Sequence, residues 1–172
     1  KGVIKKSNLS DYVKINRNGK KAINLAADDE LVTVRSGTDE HNVVMVSNHG
    51  RACRFDLSSV RTQGRVSSGV RGIRLEEATL AGMILTNDID TSVLTLSKQG
   101  MGKRTRLGKG EKIPTVRGGE QQYDEDGVEK TEMDGYRVTK RGGKGVITMN
   151  LNDGDVISRV HQVPDLEDQL FL

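Results

Sequence analysis

The chain has 172 residues, 34% of them hydrophobic and 3% aromatic, with no tryptophan, one cysteine and a formal net charge of +3. That length suits one respectable core or several small stacked units, and no stretch approaches the roughly 18 consecutive apolar residues of a membrane span. A lone Cys53, expected to be buried and inert, excludes an internal disulfide; His41, His49 and His161 are scattered without metal-ligand spacing; and no apolar segment behind a basic start points to export, so the reading is of a soluble cytoplasmic protein.

The elements recur at about fifty residues along the chain. KGVIKKSNLSDY opens at Lys1, HGRACRFDLSSV at His49 and QGMGKRTRLGKG at Gln99, which aligns Gly2, Gly50 and Gly100. Four residues after each glycine stands a base, Lys6, Arg54 or Arg104, and one position earlier Lys5 and Lys103 match while Cys53 does not. A second alignment sets Lys21-Ala22-Ile23 beside Arg71-Gly72-Ile73 and Lys144-Gly145-Val146, each a base, a small residue and a branched apolar one. Acid pairs Asp28-Asp29 and Glu76-Glu77 follow the first two triplets and read as turns between strands. Each unit also has a short apolar run, NVVMVSN before His49, SVLTLSK before Gln99 and DQLFL at Asp168–Leu172, predicted as strands.

The units therefore run about 1–48, 49–98 and 99–172, as if the chain were cut at repeat boundaries. The third unit is longer by about 23 residues, and the surplus lies in an acidic insertion at about 110–134. Residues 120–135 hold seven acids and one base, and residues 152–172 hold five acids and one base, which leaves 25 bases against 12 acids elsewhere. An insertion so poor in large apolar groups is expected to be a mobile surface loop, because it cannot offset its ordering entropy. Several short strands per unit and no helical period predict an all-β fold, a propeller-like array of about three four-stranded blades in an open arc. The WD dipeptide is absent, and glycine pairs occur only at Gly118-Gly119 and Gly142-Gly143, so the usual propeller signatures are missing.

GVRGIRL at Gly69–Leu75 has spaced glycines, but no helical period follows Leu75, which excludes a dinucleotide-binding loop. A nucleophile elbow and a P-loop are also missing, so no catalysis is expected of this chain. Repeated bases carry more meaning, since stability does not require a base at one place in every unit. Alternate residues of a strand face opposite sides, so a base between apolar neighbours can point outward while they face the core. Stacked units would then line their bases into a stripe suited to a polyanion backbone. Sparse aromatics argue against a single-strand stacking platform, so duplex DNA gripped by its phosphates is the better target, and a charged face kept for solubility is the alternative reading of the same bases. A protein-binding propeller fragment is the alternative from another class, and it would use apolar patches at a disc face.

GKKAINL with DDELV, HGRACRF with SSVRTQGRVSSGVRGIRL, and QGMGKRT with GGKGVI closely resemble the C-terminal DNA-wrapping domain of the DNA gyrase A subunit. The most specific piece is Ser58–Leu75, and only the acidic insertion falls outside the resemblance. It implies a β-pinwheel, a disc of about six blades that exchange strands with their neighbours, of which three repeats make half. It also implies that DNA bends around a basic outer rim so that the strand-passage core, with ATP hydrolysed by the B subunit, introduces negative supercoils. ATP, Mg2+, dimerisation and the cleavage tyrosine belong to other parts of that complex, so no cofactor is expected here, and Tyr12, Tyr123 and Tyr136 are structural or exposed residues. The rim contacts it implies are Lys5, Lys6, Arg54, Arg65, Arg71, Arg74, Lys103 and Arg104. TKRGGKG, Thr139–Gly145, is similar to the gyrase A box but departs from it at Thr139 and Lys140 and lies in the third unit rather than the first blade; Lys140, Arg141 and Lys144 are its candidate DNA contacts. The related domain of the topoisomerase IV A subunit is the alternative within the same class.

Overall fold

The computed structural model describes residues 1–14 and 16–164, so the strand expected at Asp168–Leu172 lies outside the described residues. Short strands follow one another: β1 (Val3–Ile4), β2 (Asn42–Ser47), β3 (Arg51–Asp56), β4 (Val70–Arg71), β5 (Leu80–Thr86), β6 (Ser92–Ser97) and β7 (Gly102–Arg106). The acidic insertion adds β8 (Lys112–Pro114), β9 (Val116–Arg117), β10 (Glu120–Gln121) and β11 (Thr131–Met133), and the chain closes with β12 (Val146–Ile147) and β13 (Ile157–Val163). Among the described residues there is no α-helix, and no helix long and apolar enough to cross a membrane.

These strands build an open β-pinwheel of small antiparallel sheets. The central blade has four strands in the order β12-β3-β2-β5, and its outermost strand comes from the following unit. The next blade has three, β13-β6-β7; the first unit contributes β2 to the central blade and, near its start, β1, which pairs with β4 of the second unit. One four-stranded blade is therefore complete among the described residues.

NVVMVS forms β2 because a strand sandwiched between two neighbouring blades has no solvent face, so both sets of alternate residues are apolar. Val44 and Val46 enter a core shared with Val93 near the end of the second unit and with Leu107 and Ile157 of the third. Val43 and Met45 enter the opposite core with Ile4, Phe55 and Ile73, on the side of the first unit. At about 1.5–3 kcal/mol for each fully buried apolar side chain, these two interfaces outweigh the few ladder bonds that join the blades. Cys53 is fully buried in the second core, as its lone occurrence led us to expect.

Strand exchange follows one repeated rule. Gly72 and Ile73 donate to the Gly2 carbonyl, and Thr148 and Met149 donate to the Gly50 carbonyl. Gln63 donates to the Lys6 carbonyl, and Thr139 to the Arg54 carbonyl. The structural equivalents are thus Gly69 with Gly145, Arg71 with Ile147 and Ile73 with Met149. This corrects the alignment of Arg71-Gly72-Ile73 with Lys144-Gly145-Val146 by three residues. Matching the bases set the register wrongly, because what repeats is the left-handed glycine, at φ 84° for Gly69 and 72° for Gly145. A Cβ on Gly145 would stand 2.2 Å from the Ala52 carbonyl oxygen. Gly145→Ala is expected to lower the unfolding free energy by about 2–3 kcal/mol, read by urea denaturation.

The acidic insertion is not the shapeless loop its composition suggested. Lys112–Pro114 pairs with Thr131–Met133, and beyond it Glu120–Gln121 pairs with Val116–Arg117. It is an exposed β-ribbon, because backbone ladder bonds need no apolar side chains once both feet are held.

Candidate nucleic-acid interface

The feet of the ribbon are held by Arg54. Its Nη1 donates to the carbonyls of Leu107, Gly108 and Tyr136 at 2.8, 2.8 and 2.9 Å, and its Nε donates to Asn42 Oδ1 at 2.8 Å. The residue is 3% exposed, and burial lowers the pKa of its guanidinium. A guanidinium committed to buried carbonyls cannot reach a phosphate, so the structure removes Arg54 from the predicted rim contacts. The base was read as outward-facing because its neighbours are apolar; in fact the following unit covers that side too.

Lys6, its equivalent in the first unit, behaves alike. Its amine lies 2.7 Å from Asp39 Oδ1 and 3.5 Å from the Leu57 carbonyl, the counterpart of Leu107, and the side chain is 16% exposed. Lys5 donates to the Ala22 carbonyl and, at 2.5 Å, to the Arg65 carbonyl, and its pKa is lowered by burial. Lys5, Lys6 and Arg54 therefore join one unit to the next. Arg65 is half-buried, while Lys103 and Arg104 lie exposed on β7.

The remaining predicted residues come together at one junction. TKRGGKG lies across GVRGIRL of the preceding unit: Gly142 donates to the Gly72 carbonyl at 2.6 Å, and Arg74 donates to the Gly143 carbonyl at 2.9 Å. Arg141 fastens the loop, with Nε on the Ser59 carbonyl and Nη1 on the Arg71 carbonyl. Two sequence motifs that lie far apart along the chain thereby present Arg71, Arg74, Lys140 and Lys144 as exposed bases from two units. Arg51, which the sequence pattern did not single out, joins them through a 3.1 Å bond from its Nη1 to the Gly145 carbonyl. Its only signal was its place after Gly50, where the other units carry Val3 and Met101.

Glu76 is a further member of this surface that the sequence pattern did not reveal. The Glu76-Glu77 pair does form the expected turn, but Glu76 is the one non-glycine residue at positive φ among the described residues, at 55°. Its carboxylate lies 2.8 Å from Lys144 Nζ and 3.8 Å from Arg74 Nε. The hydrogen bond and charge of Lys144 hold its carboxyl below its ordinary pKa, so it is ionised at neutral pH. With His49, Arg51 and Glu77 these groups line a shallow pocket in which the bases already face the Glu76 carboxylate.

The tyrosines stand apart from this surface. Tyr136 is 2% exposed with its hydroxyl on Thr148, Tyr12 is half-buried and Tyr123 is 57% exposed on the ribbon. No group of His, Cys, Asp and Glu suited to a metal ion occurs among the described residues.

A family model described as "DNA gyrase C-terminal domain, beta-propeller" matches residues 1–36, 41–87, 91–115 and 130–164, and omits the outer part of the ribbon. The DNA gyrase A subunit of Staphylococcus epidermidis is 33% identical over 154 residues, which covers 88% of this chain and 14% of the relative. Its Staphylococcus aureus counterpart is 33% identical over 162 residues, covering 91% of this chain and 15% of the relative. The chain thus spans a small part of these relatives' length. Among solved structures, the C-terminal domain of DNA topoisomerase IV superposes with a TM-score of 0.62 at 20% identity, covering 94% of this chain and 59% of that one. The DNA gyrase A C-terminal domain superposes with a TM-score of 0.53 at 21% identity, covering 82% and 38%.

Proposed function

The chain belongs to the DNA gyrase C-terminal domain family, and from that premise we propose that it binds duplex DNA and bends it along the basic surface that crosses its blade junctions. The observation that supports this most directly is the crossing of TKRGGKG over GVRGIRL, which joins bases of two units into one exposed patch. A patch that spans a junction can follow a backbone from blade to blade, whereas bases confined to single blades would only tether it. Exposed Lys and Arg without base-reading partners suit phosphate contacts, so sequence preference would be weak.

In the full-length protein the module would present a wrapped segment to the strand-passage core. The B subunit, ATP, Mg2+ and dimerisation through other domains belong to that assembly, as does its cytoplasmic, nucleoid-associated place. The module itself supplies no catalytic group.

The test is binding to a linear duplex across a salt series, followed by the linking-number change left in closed circular DNA relaxed in its presence. Affinity is expected to fall by about 0.9 log units per log of salt for each phosphate neutralised. Binding that ignores salt, or none at low salt, would refute the reading. Restored supercoiling when the chain replaces its counterpart in full-length gyrase would favour gyrase over topoisomerase IV.

Glu76 makes the reading more specific. Its carboxylate sits where a phosphate would approach Lys144 and Arg74, so Glu76→Gln is expected to strengthen duplex binding by about three- to tenfold at low salt. Unchanged or weaker binding would mean that Glu76 positions Lys144 and does not compete with DNA.

A further inference from the structure

The two short ladders that carry strand exchange have one rung facing in and one facing out. Ile4 with Val70 and Ala52 with Val146 face in: Ile4 and Ala52 are 7% and 1% exposed, and their partners pack against the same two cores. Residues directly opposite in an antiparallel ladder share a face, and neighbouring rungs take opposite faces. The other rung of each junction, Val3 with Arg71 and Arg51 with Ile147, therefore points outward.

Both outward rungs pair one arginine with one aliphatic residue, but on opposite strands. At the first junction the base stands on the exchanged strand β4 and Val3 on β1; at the second the base stands on β3 and Ile147 on the exchanged strand β12. Packing does not explain this, since both arginines are exposed and Val3 and Ile147 are themselves 38% and 62% exposed. What is kept is a charge at the rung, whichever strand carries it.

TKRGGKG joins the two rungs. A Cβ on its Gly142 would stand 3.7 Å from Arg71 Cγ, so the Arg71 stem lies along the loop, and the loop then runs into Val146–Ile147, where Arg51 Nη1 donates to the Gly145 carbonyl at 3.1 Å. That single bond leaves most of the Arg51 donors open. Among the described residues no ion pair holds Arg51 or Arg71.

We propose that the outward rung, rather than a fixed residue, is the recurring phosphate contact of this surface, so that Arg51 does at the second junction what Arg71 does at the first. Side chains across a rung start only about 4.5–5.5 Å apart, a shift that the long arginine stem absorbs, so a base on either strand reaches the same phosphate. The inference rests on the duplex binding proposed above and places its grip on the strand-exchange ladder itself, one contact for every junction. Sequence alignment of bases misses it, because Arg51 and Arg71 occupy different places in their units.

The test is to move the charge across the rung and measure duplex binding over a salt series. Arg51→Val is expected to lower affinity about fivefold at low salt and to flatten the salt slope by about 0.9. Adding Ile147→Arg gives the second rung the order of the first and is expected to restore both affinity and slope. Adding Val128→Arg instead, at a 60% exposed position on the ribbon, supplies the same charge away from the rung and is expected to restore neither. Thermal melts confirm that each variant folds. If Arg51 merely fastened the Gly145 carbonyl, its loss would leave the slope unchanged and Ile147→Arg would restore nothing; either result, or equal rescue by Val128→Arg, overturns the proposal. Absent or salt-insensitive binding by the unmodified chain would instead remove the duplex reading on which it rests.

Discussion

Replacing Arg54 by methionine is expected to destabilise the fold by about 3–5 kcal/mol, read as a lowered midpoint in urea or heat. Its Nη1 donates to three buried carbonyls and its Nε to Asn42, so truncation orphans acceptors from β2, the end of β7 and both feet of the ribbon. Methionine fills much of the volume, so the loss reports the hydrogen bonds more than a cavity. Arg54→Lys is expected to lose less, because Lys6 already performs the equivalent task with an ammonium 3.5 Å from the Leu57 carbonyl. A variant that kept its stability but lost its affinity for DNA would return Arg54 to the interface and overturn this assignment.

Replacing Arg71, Arg74 and Lys144 together by glutamine is expected to weaken duplex binding roughly a hundredfold at low salt, with a salt slope flatter by about 0.9 for each phosphate no longer neutralised. Fold stability is expected to stay nearly unchanged, because all three side chains are exposed and exposed ion pairs such as Lys144–Glu76 contribute little. The two experiments move different observables, stability for Arg54 and affinity for the junction patch. Equal losses of affinity on replacing Lys103 and Arg104 instead would shift the interface towards β7.

Much of the fold is legible in the order of the residues. Apolar runs between turn residues mark β2 and β6, and the fifty-residue recurrence of Gly2, Gly50 and Gly100 marks the units. The interface is legible only in part. Arg71, Arg74, Lys140 and Lys144 stand out in the sequence and do lie on one exposed surface, but their proximity comes from a loop of one unit crossing a strand of another. The ribbon was misread because low hydrophobicity argues against a core but leaves backbone pairing between two anchored feet possible.

The sequence by itself determined the apolar strands β2 and β6, the turns beside them and the existence of a repeat, because these follow from local periodicity and from glycines that tolerate left-handed backbone. Tertiary structure decided which repeated base is free. Lys6, Arg54 and Arg104 have equivalent places in the sequence, yet Arg54 is buried and Arg104 is exposed. The difference arises outside their own strands: the unit after Arg54 lays its chain over the guanidinium and offers carbonyls to it, and no described segment does so for Arg104. A charge is buried only where a neighbour both covers it and satisfies its donors, and that neighbour is supplied by strand exchange between units.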